Sequence, residues 1–181
     1  MNEIDWDNFI RENLRYEPDT GNLYWTNVGI GNMKRNMYKP AGGINNKGYF
    51  KLNLKIYGMR KTVQNHRIAW FLYYGKWPDN MIDHINGIRT DNRIVNLREA
   101  TNSQNQFNRG ADKDSTSKYK GVSLNKRNNK WKSGITVNTK IIHLGYFHNE
   151  HLAALAYNKA AIKLHGEFAY LNVIEDQLEL A

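Results

Sequence analysis

"MIDHINGIRTDNRIVNLREATNSQNQFNR", Met81 to Arg109, has few apolar runs, yet its polar residues recur at set places. Asp83 and His84 are adjacent; Asn96 follows His84 by twelve positions and Asn105 by twenty-one. The segment reads as strand, loop, strand, helix. "MIDHI" is short and apolar-edged, "NGIRTDN" is a polar turn, "IVNLREAT" is a second strand, and "NSQNQFNR" opens a helix with Thr101 or Asn102 as N-cap. In a regular strand Asp83 and His84 would face opposite ways. Both serve one site only if the strand ends there, and Asn86-Gly87 supports such an ending.

Upstream, Ile4, Trp6, Phe9, Ile10 and Leu14 fall at helical spacing before the turn signal "PDTG", which predicts a helix over 6–14. Strand-like pieces follow. "NLYWTN" is one; after "AGGINNKG", "YFKLNLKIYG" alternates cleanly and "YGMRKT" is a tight hairpin into "KTVQN". "HRIAWFLYYGKWP" is a buried helix stopped by Gly75 and Pro78. His66, in this basic apolar helix, is expected to be structural. Downstream, 111–118 is small and polar, a linker by composition. Three antiparallel strands come next, with turns at "RNNK" and "NTK". A helix then runs from an Asn149 cap to a Gly166 stop, with alanines that let it lie close on a sheet.

A chain of 181 residues suits one ordinary domain or two small ones. Its mean hydropathy is −0.74, and its longest apolar run, "IAWFLYY", is seven residues, too short to span a bilayer. No secretory pattern opens the sequence, and there is no cysteine for a disulfide or a thiolate zinc site. The expected setting is the cytoplasm, with no membrane partner.

The net charge of +9 is unevenly spread. Thr20–Pro78 holds ten Lys/Arg and no acid, and Lys118–Lys140 holds seven, again with none. Asp79–Asp112 carries five acids against four Arg. Two basic stretches with interleaved aromatics flank a nearly neutral centre, a pattern that fits nucleic-acid binding better than a merely solvated face.

Cleaving a phosphodiester needs a water nucleophile, a base for its proton and positive charge beside the phosphate. A neutral His near pH 7 suits the base. A hard divalent ion on oxygen ligands suits the charge. Asp83 offers an anionic oxygen and Asn105 an amide oxygen from the helix. Asn102 and Asn108 lie one helical turn from Asn105 and compete for that role. Arg109, at i+4 from Asn105, is either a phosphate contact or an ordinary surface arginine.

With "HRIAW" upstream, the run "IDHINGIRTDNRIVNLREATNSQNQFNR" resembles HNH (His-Me finger) homing endonucleases of the phage and intron-encoded type. The resemblance covers Tyr16 to Arg109. Its motif letters fall on His84, Asn96 and Asn105, the last being Asn where other members carry His. It implies a ββα-metal site in which His84 activates the water. Asp83 and Asn105 would bind Mg²⁺ or Mn²⁺, and Asn96 would tie the loop and help orient His84. It also implies 5′-phosphate and 3′-hydroxyl ends. Some members hold zinc on Cys pairs; this chain has none, so no structural zinc is expected.

Tyr119–Asn172 resembles the plant APETALA2/ethylene-response-factor DNA-binding domain. The shared residues include Tyr119, Gly121, Lys130-Trp131, Leu144-Gly145, Ala153-Ala154 and Leu171-Asn172. In that family a three-stranded sheet lies in the major groove and strand arginines read bases. Ser123, Asn125 and Thr136 stand here where plant domains tend to carry Arg, so the module is expected to anchor more than to specify.

The expected class is α+β. It comprises an N-terminal helix and basic β-rich platform (1–65), a ββα-metal HNH catalytic unit (66–110), a linker (111–118), a separate three-stranded antiparallel sheet packed on one helix (119–172), and an acidic tail (173–181). The expected DNA contacts are Lys51, Lys55, Arg60, Lys61 and Arg109, then Lys126, Arg127, Lys130, Trp131, Lys132 and Lys140. Trp131 is either core or a stacking contact, with core preferred. The expected function is site-specific, nicking cleavage of double-stranded DNA by a monomer in a bacterial host, encoded by a phage or an intron. The alternative is a non-catalytic DNA-binding transcriptional regulator derived from such a nuclease.

Overall fold

A computed structural model describes residues 5–27 and 36–174. The protein is mixed α/β with several small antiparallel sheets, and it divides into two compact units, Met1–Ala100 and Thr101–Ala181. The segment 111–118, expected as a linker, and the helix bearing Asn105 both fall in the second unit. The expected acidic tail lies outside the described residues from 175 onward.

In the first unit, helix α1 (Trp6–Asn13) starts on Asp5, whose carboxylate accepts from the Asp7 and Asn8 amides at 3.1 and 2.9 Å. The helix ends one residue earlier than its apolar spacing predicts. Leu14 instead turns extended and opens β1 (Leu14–Glu17), which pairs with β2 (Asn22–Trp25), Leu14 opposite Trp25. Sheet pairing overrides helical periodicity there, and Leu14 reaches the core by either route. β3 (Gly43–Ile44), β4 (Phe50–Ile56) and β5 (Met59–Gln64) form a second sheet, with the expected hairpin at Tyr57-Gly58. Helix α2 (Asn65–Tyr74) stops at Gly75, whose amide donates to Phe71 O at 2.9 Å.

Helix α2 does two things. Ile68 and Phe71 pack with Ile10, Leu23, Leu52 and Leu54 in the main core. Ala69 packs instead with Ile82 and Leu97. Those two belong to β6 (Met81–His84) and β7 (Leu97–Ala100), an antiparallel pair with Asp83 opposite Arg98 and His84 opposite Leu97. The second strand is shorter than expected because Ile94–Asn96 form a 3₁₀ turn.

In the second unit, α3 (Asn102–Phe107) is capped by Thr101 in a reciprocal capping box with Gln104. Its C-terminal carbonyls are occupied: Lys120 Nζ donates to Gln106 O and Phe107 O at 3.0 and 2.6 Å, and the Phe107 ring stacks on His165 at 3.7 Å. β8 (Val122–Asn125), β9 (Lys130–Val137) and β10 (Lys140–Phe147) form the expected sheet, ordered β10-β9-β8. Helix α4 (Glu150–His165) covers one face through fully buried Ala153, Ala154 and Ala161. Gly121 shows how close the approach is, since a Cβ there would sit 2.2 Å from the Tyr157 ring.

Candidate active site

The Asp83–His84 pair ends strand β6, and both side chains are buried, each 4% exposed. The chain leaves the ladder just after: Ile85 N donates to Asn96 O at 2.9 Å and Gly87 N to His84 O at 2.8 Å. Burying a carboxylate calls for a counter-charge. Arg98, directly across the ladder, supplies it, donating from Nε at 2.9 Å and standing 2.8 Å away through its terminal nitrogen.

His84 Nε2 lies 3.0 Å from the side-chain oxygen of Asn92, itself 2% exposed. With that oxygen facing the ring, Nε2 carries the hydrogen and donates it, so the basic lone pair resides on Nδ1. The ring also meets His66 edge-on at 5.1 Å and Tyr49 at 5.8 Å. Burial holds the His84 pKa below the ordinary histidine value, against the opposing pull of Asn92, Asp83 and Asp91. Burial lowers His66 further, to about 3. Both imidazoles are therefore neutral at pH 7.

Asn96 braces the loop: its side-chain oxygen accepts from Asn86 N at 2.9 Å, and its amide donates to Asp91 O at 2.8 Å. Asp91 is pinned by Arg93 at 2.6 and 2.8 Å, which holds its carboxyl down at about 2. The Tyr16 hydroxyl donates to Asn92 O at 2.7 Å. Gly21, at φ +75°, lets the β1–β2 turn press on the same loop, with a Cβ there only 2.6 Å from Asn92 C. Asn92, Tyr16 and Gly21 escaped the sequence reading. Only a recurring "TDN" across related sequences would have flagged Asn92, and one sequence offers no such signal.

The HNH endonuclease family model matches residues 63–107, which hold this whole arrangement apart from Tyr16, Gly21 and Tyr49. Protein 3.8 of Escherichia phage T7 is 30% identical over 110 residues, covering 90% of that protein and 60% of this chain. The chain carries an HNH endonuclease domain over residues 63–107. A second relative is the uncharacterized HNH endonuclease L560 of Acanthamoeba polyphaga mimivirus, 36% identical over 115 residues. That match covers 62% of this chain and 59% of the viral one. The HNH homing endonuclease I-HmuI, from a structure concerned with DNA binding and cleavage, shares 26% identity at a TM-score of 0.39, over 52% of this chain and 49% of that one. APETALA2-like protein 2 of Oryza sativa subsp. indica is 42% identical over 57 residues, 32% of this chain but 13% of the rice protein.

The HNH residues expected from sequence divide between the units. Asp83, His84 and Asn96 stand together in the first; Asn105, half-buried on α3, and Arg109, exposed and 3.4 Å from Asp112, belong to the second. Among the described residues no group of three or more His, Cys, Asp or Glu side chains forms a metal cluster. HNH nucleases generally use a divalent metal ion. The buried Asp83 carboxylate is a hard oxygen donor and fits a hard ion that completes its shell with substrate phosphate and water.

Two expected DNA contacts are turned elsewhere. Lys55 and Arg60 pair as exposed neighbours on β4 and β5, and Lys51 shares the Lys55 face. Lys61 lies opposite Leu54, on the other face, with Nζ over the Trp6 and Trp77 rings at 5.6 and 5.8 Å. Trp131 pairs with Leu124 and Phe147 and packs against Tyr119, Val122 and Ala153, so strand alternation points it into the core. Lys126, Arg127, Lys132 and Lys140 are exposed, and Lys130 is half-buried at the start of β9.

Proposed function

We propose that the chain is a site-specific DNA endonuclease of the homing type that nicks duplex DNA, acting in the cytoplasm of a phage-infected host. One observation carries this reading. The HNH segment presents a buried Asp83–His84 pair whose imidazole is neutral and fixed through Nε2 by Asn92. The pair lies within the stretch that matches the HNH endonuclease model, residues 63–107, and a pure DNA binder has no use for it.

In this reading His84 Nδ1 takes the proton from the attacking water, because the Asn92 bond commits Nε2 to donation. Asn96 keeps the 85–92 loop folded so that Asn92 stays in place. Asp83 is the residue of the first unit that would hold Mg²⁺ or Mn²⁺. The bound ion would supply positive charge to the phosphoryl and leaving oxygens. The second unit serves as a DNA anchor through Lys126, Arg127, Lys130, Lys132 and Lys140, with Lys51, Lys55, Arg60 and Arg109 as further phosphate contacts. Its likeness over 57 residues to the rice protein supports this role.

The test is to incubate the full chain with supercoiled plasmid, with and without Mg²⁺. Open circles appearing only with the metal are the expected result. Intact plasmid alongside tight DNA binding would favour the regulator reading instead.

A further inference from the structure

Across the sheet of the second unit, register and alternation arrange the solvent face in rows. Ser123, Lys132 and Tyr146 form one row, Gly134 and His143 the next, and Thr136 and Ile141 the third. The opposite face sends Val122, Ser133 and Ile135 into the core. The second and third rows therefore hold no Asp, Glu, Lys or Arg. Ile141 is 72% exposed and lies flat, its Cγ2 within 3.3 Å of where a Gly134 Cβ would be. A branched aliphatic so placed adds little to the core.

The surround is cationic. Lys126 and Arg127 occupy the β8–β9 turn, Lys130 and Lys132 flank the inner Trp131, and Lys140 opens β10; no acid occurs between Lys118 and Lys140. None of the three strands contains an arginine. A basic rim around a centre without Asp, Glu, Lys or Arg, which presents exposed Ile141, is complementary to a DNA groove whose walls are phosphates. A β-ribbon fits the major groove, where guanine is read mainly by Arg or Lys in bidentate contact and thymine by apolar contact with its C5-methyl group.

We propose that this face reads thymine methyl groups in the major groove, with Ile141 and the Thr136 methyl as the specificity-determining contacts. The rim lysines hold the flanking phosphates and set the register. The proposal rests on the reading of the second unit as a DNA anchor, and it names what that anchor prefers: A·T-containing duplex, sensed through a methyl group rather than through guanine.

The experiment compares binding of the full chain, in chelator to prevent cutting, to equal-length duplexes of alternating A-T, alternating A-U and alternating G-C. A-T and A-U differ only in the thymine methyl. The A-T duplex should bind tighter than A-U by about fourfold for each methyl contacted, the value of one buried methylene. Ile141→Ala should erase most of that difference while leaving the melting temperature unchanged, because the side chain is exposed. Equal affinity for A-T and A-U, a preference for G-C, or a thymine preference that survives in Ile141→Ala would each overturn the proposal. The joint variant Lys126→Ala/Arg127→Ala/Lys132→Ala separates the two readings. Weakened binding by this variant with no thymine effect in the parent sinks the methyl readout alone. Unchanged affinity and salt slope sink the anchor reading, and the methyl readout with it.

Discussion

The side-chain oxygen of Asn92 stands 3.0 Å from His84 Nε2, and both residues are buried. The bond fixes the tautomer and the ring plane together, so the imidazole can present Nδ1 in one orientation only. Asn92→Ala is expected to lower cleavage about 10- to 100-fold, the usual loss when a group that orients a functional ligand is removed, with DNA affinity unchanged. Asn92→Asp keeps an acceptor at the same place and should retain more activity. Single-turnover cleavage and binding assays on the same DNA decide it. Equal activity of Asn92→Ala and the parent would remove Asn92 from the mechanism.

His84 itself should be worth more. Replacing the base by alanine is expected to reduce single-turnover cleavage by about two to four orders of magnitude. Binding should barely change, since one neutral ring is a small part of a phosphate interface. Normal cutting by His84→Ala would leave His66, the buried imidazole beside it, as the next candidate base.

His66 predicts how stability depends on pH. Its pKa drops from 6.5 in the unfolded chain to about 3 in the fold, because burial penalises the charged ring. Above pH 6.5 both states are neutral at this residue and it adds no pH dependence. Between 6.5 and about 3 the unfolded chain binds the proton and the folded one does not. Stability therefore falls as pH falls through that window, by up to about 1.4 kcal/mol per pH unit. His66→Phe keeps an aromatic ring against Tyr49 and His84 and should flatten the slope; the part that remains belongs to His84 and His165, both shifted in the same direction. Urea midpoints at pH 7.5 and pH 5 are the measurement. Identical slopes for variant and parent would contradict the burial of His66.

Gly21 offers a test from outside the motif. A Cβ there would lie 2.5 Å from Arg93 N and 2.6 Å from Asn92 C, at a φ of +75°. Gly21→Ala should cost on the order of 2 kcal/mol and lower cleavage by pushing the loop that carries Asn92. Gly58→Ala is the control: its φ is +84° but nothing lies within 4 Å, so it carries the backbone cost without the collision. Matching activity loss in both variants would mean the β1–β2 turn does not support the site.

Much of this was legible because local signals agreed with the tertiary outcome. The Asn149 cap, the "RNNK" and "NTK" turns and the alternation of β4 each fix an element through short-range chemistry, and each appears where expected. Thr101 won over Asn102 as N-cap because Gln104 completes a reciprocal box with it. What failed was decided at a distance. Leu14 satisfies a helical stripe and a strand equally, and Trp25 decided between them. Lys61 looked like its basic neighbours until strand alternation set it over two tryptophans. The adjacency of Asp83 and His84 was visible, but their partners were not. Arg98 is chosen by register, and Asn92 by a loop whose shape depends on Asn96, Asp91 and Tyr16.

Trp131 and Lys132 are adjacent residues on opposite faces of one strand, and they separate stability from binding. Trp131 packs against Tyr119, Val122 and Ala153, while Lys132 is exposed beside Ser123 and Tyr146. Trp131→Ala should destabilise the second unit by about 2 to 3 kcal/mol, below the 3 to 5 typical of a fully buried tryptophan because the ring is only partly covered. Affinity should fall only as far as unfolding explains. Lys132→Ala should leave the melting temperature unchanged. It should weaken binding to many sequences alike and reduce the slope of log affinity against log salt by about one, as expected when one phosphate contact is lost. Melting curves and anisotropy titrations at several salt concentrations measure both. If Trp131→Ala lost affinity at full thermal stability, its ring would be a DNA contact after all. If Lys132→Ala left the salt slope unchanged, this face of the sheet would not meet the phosphates.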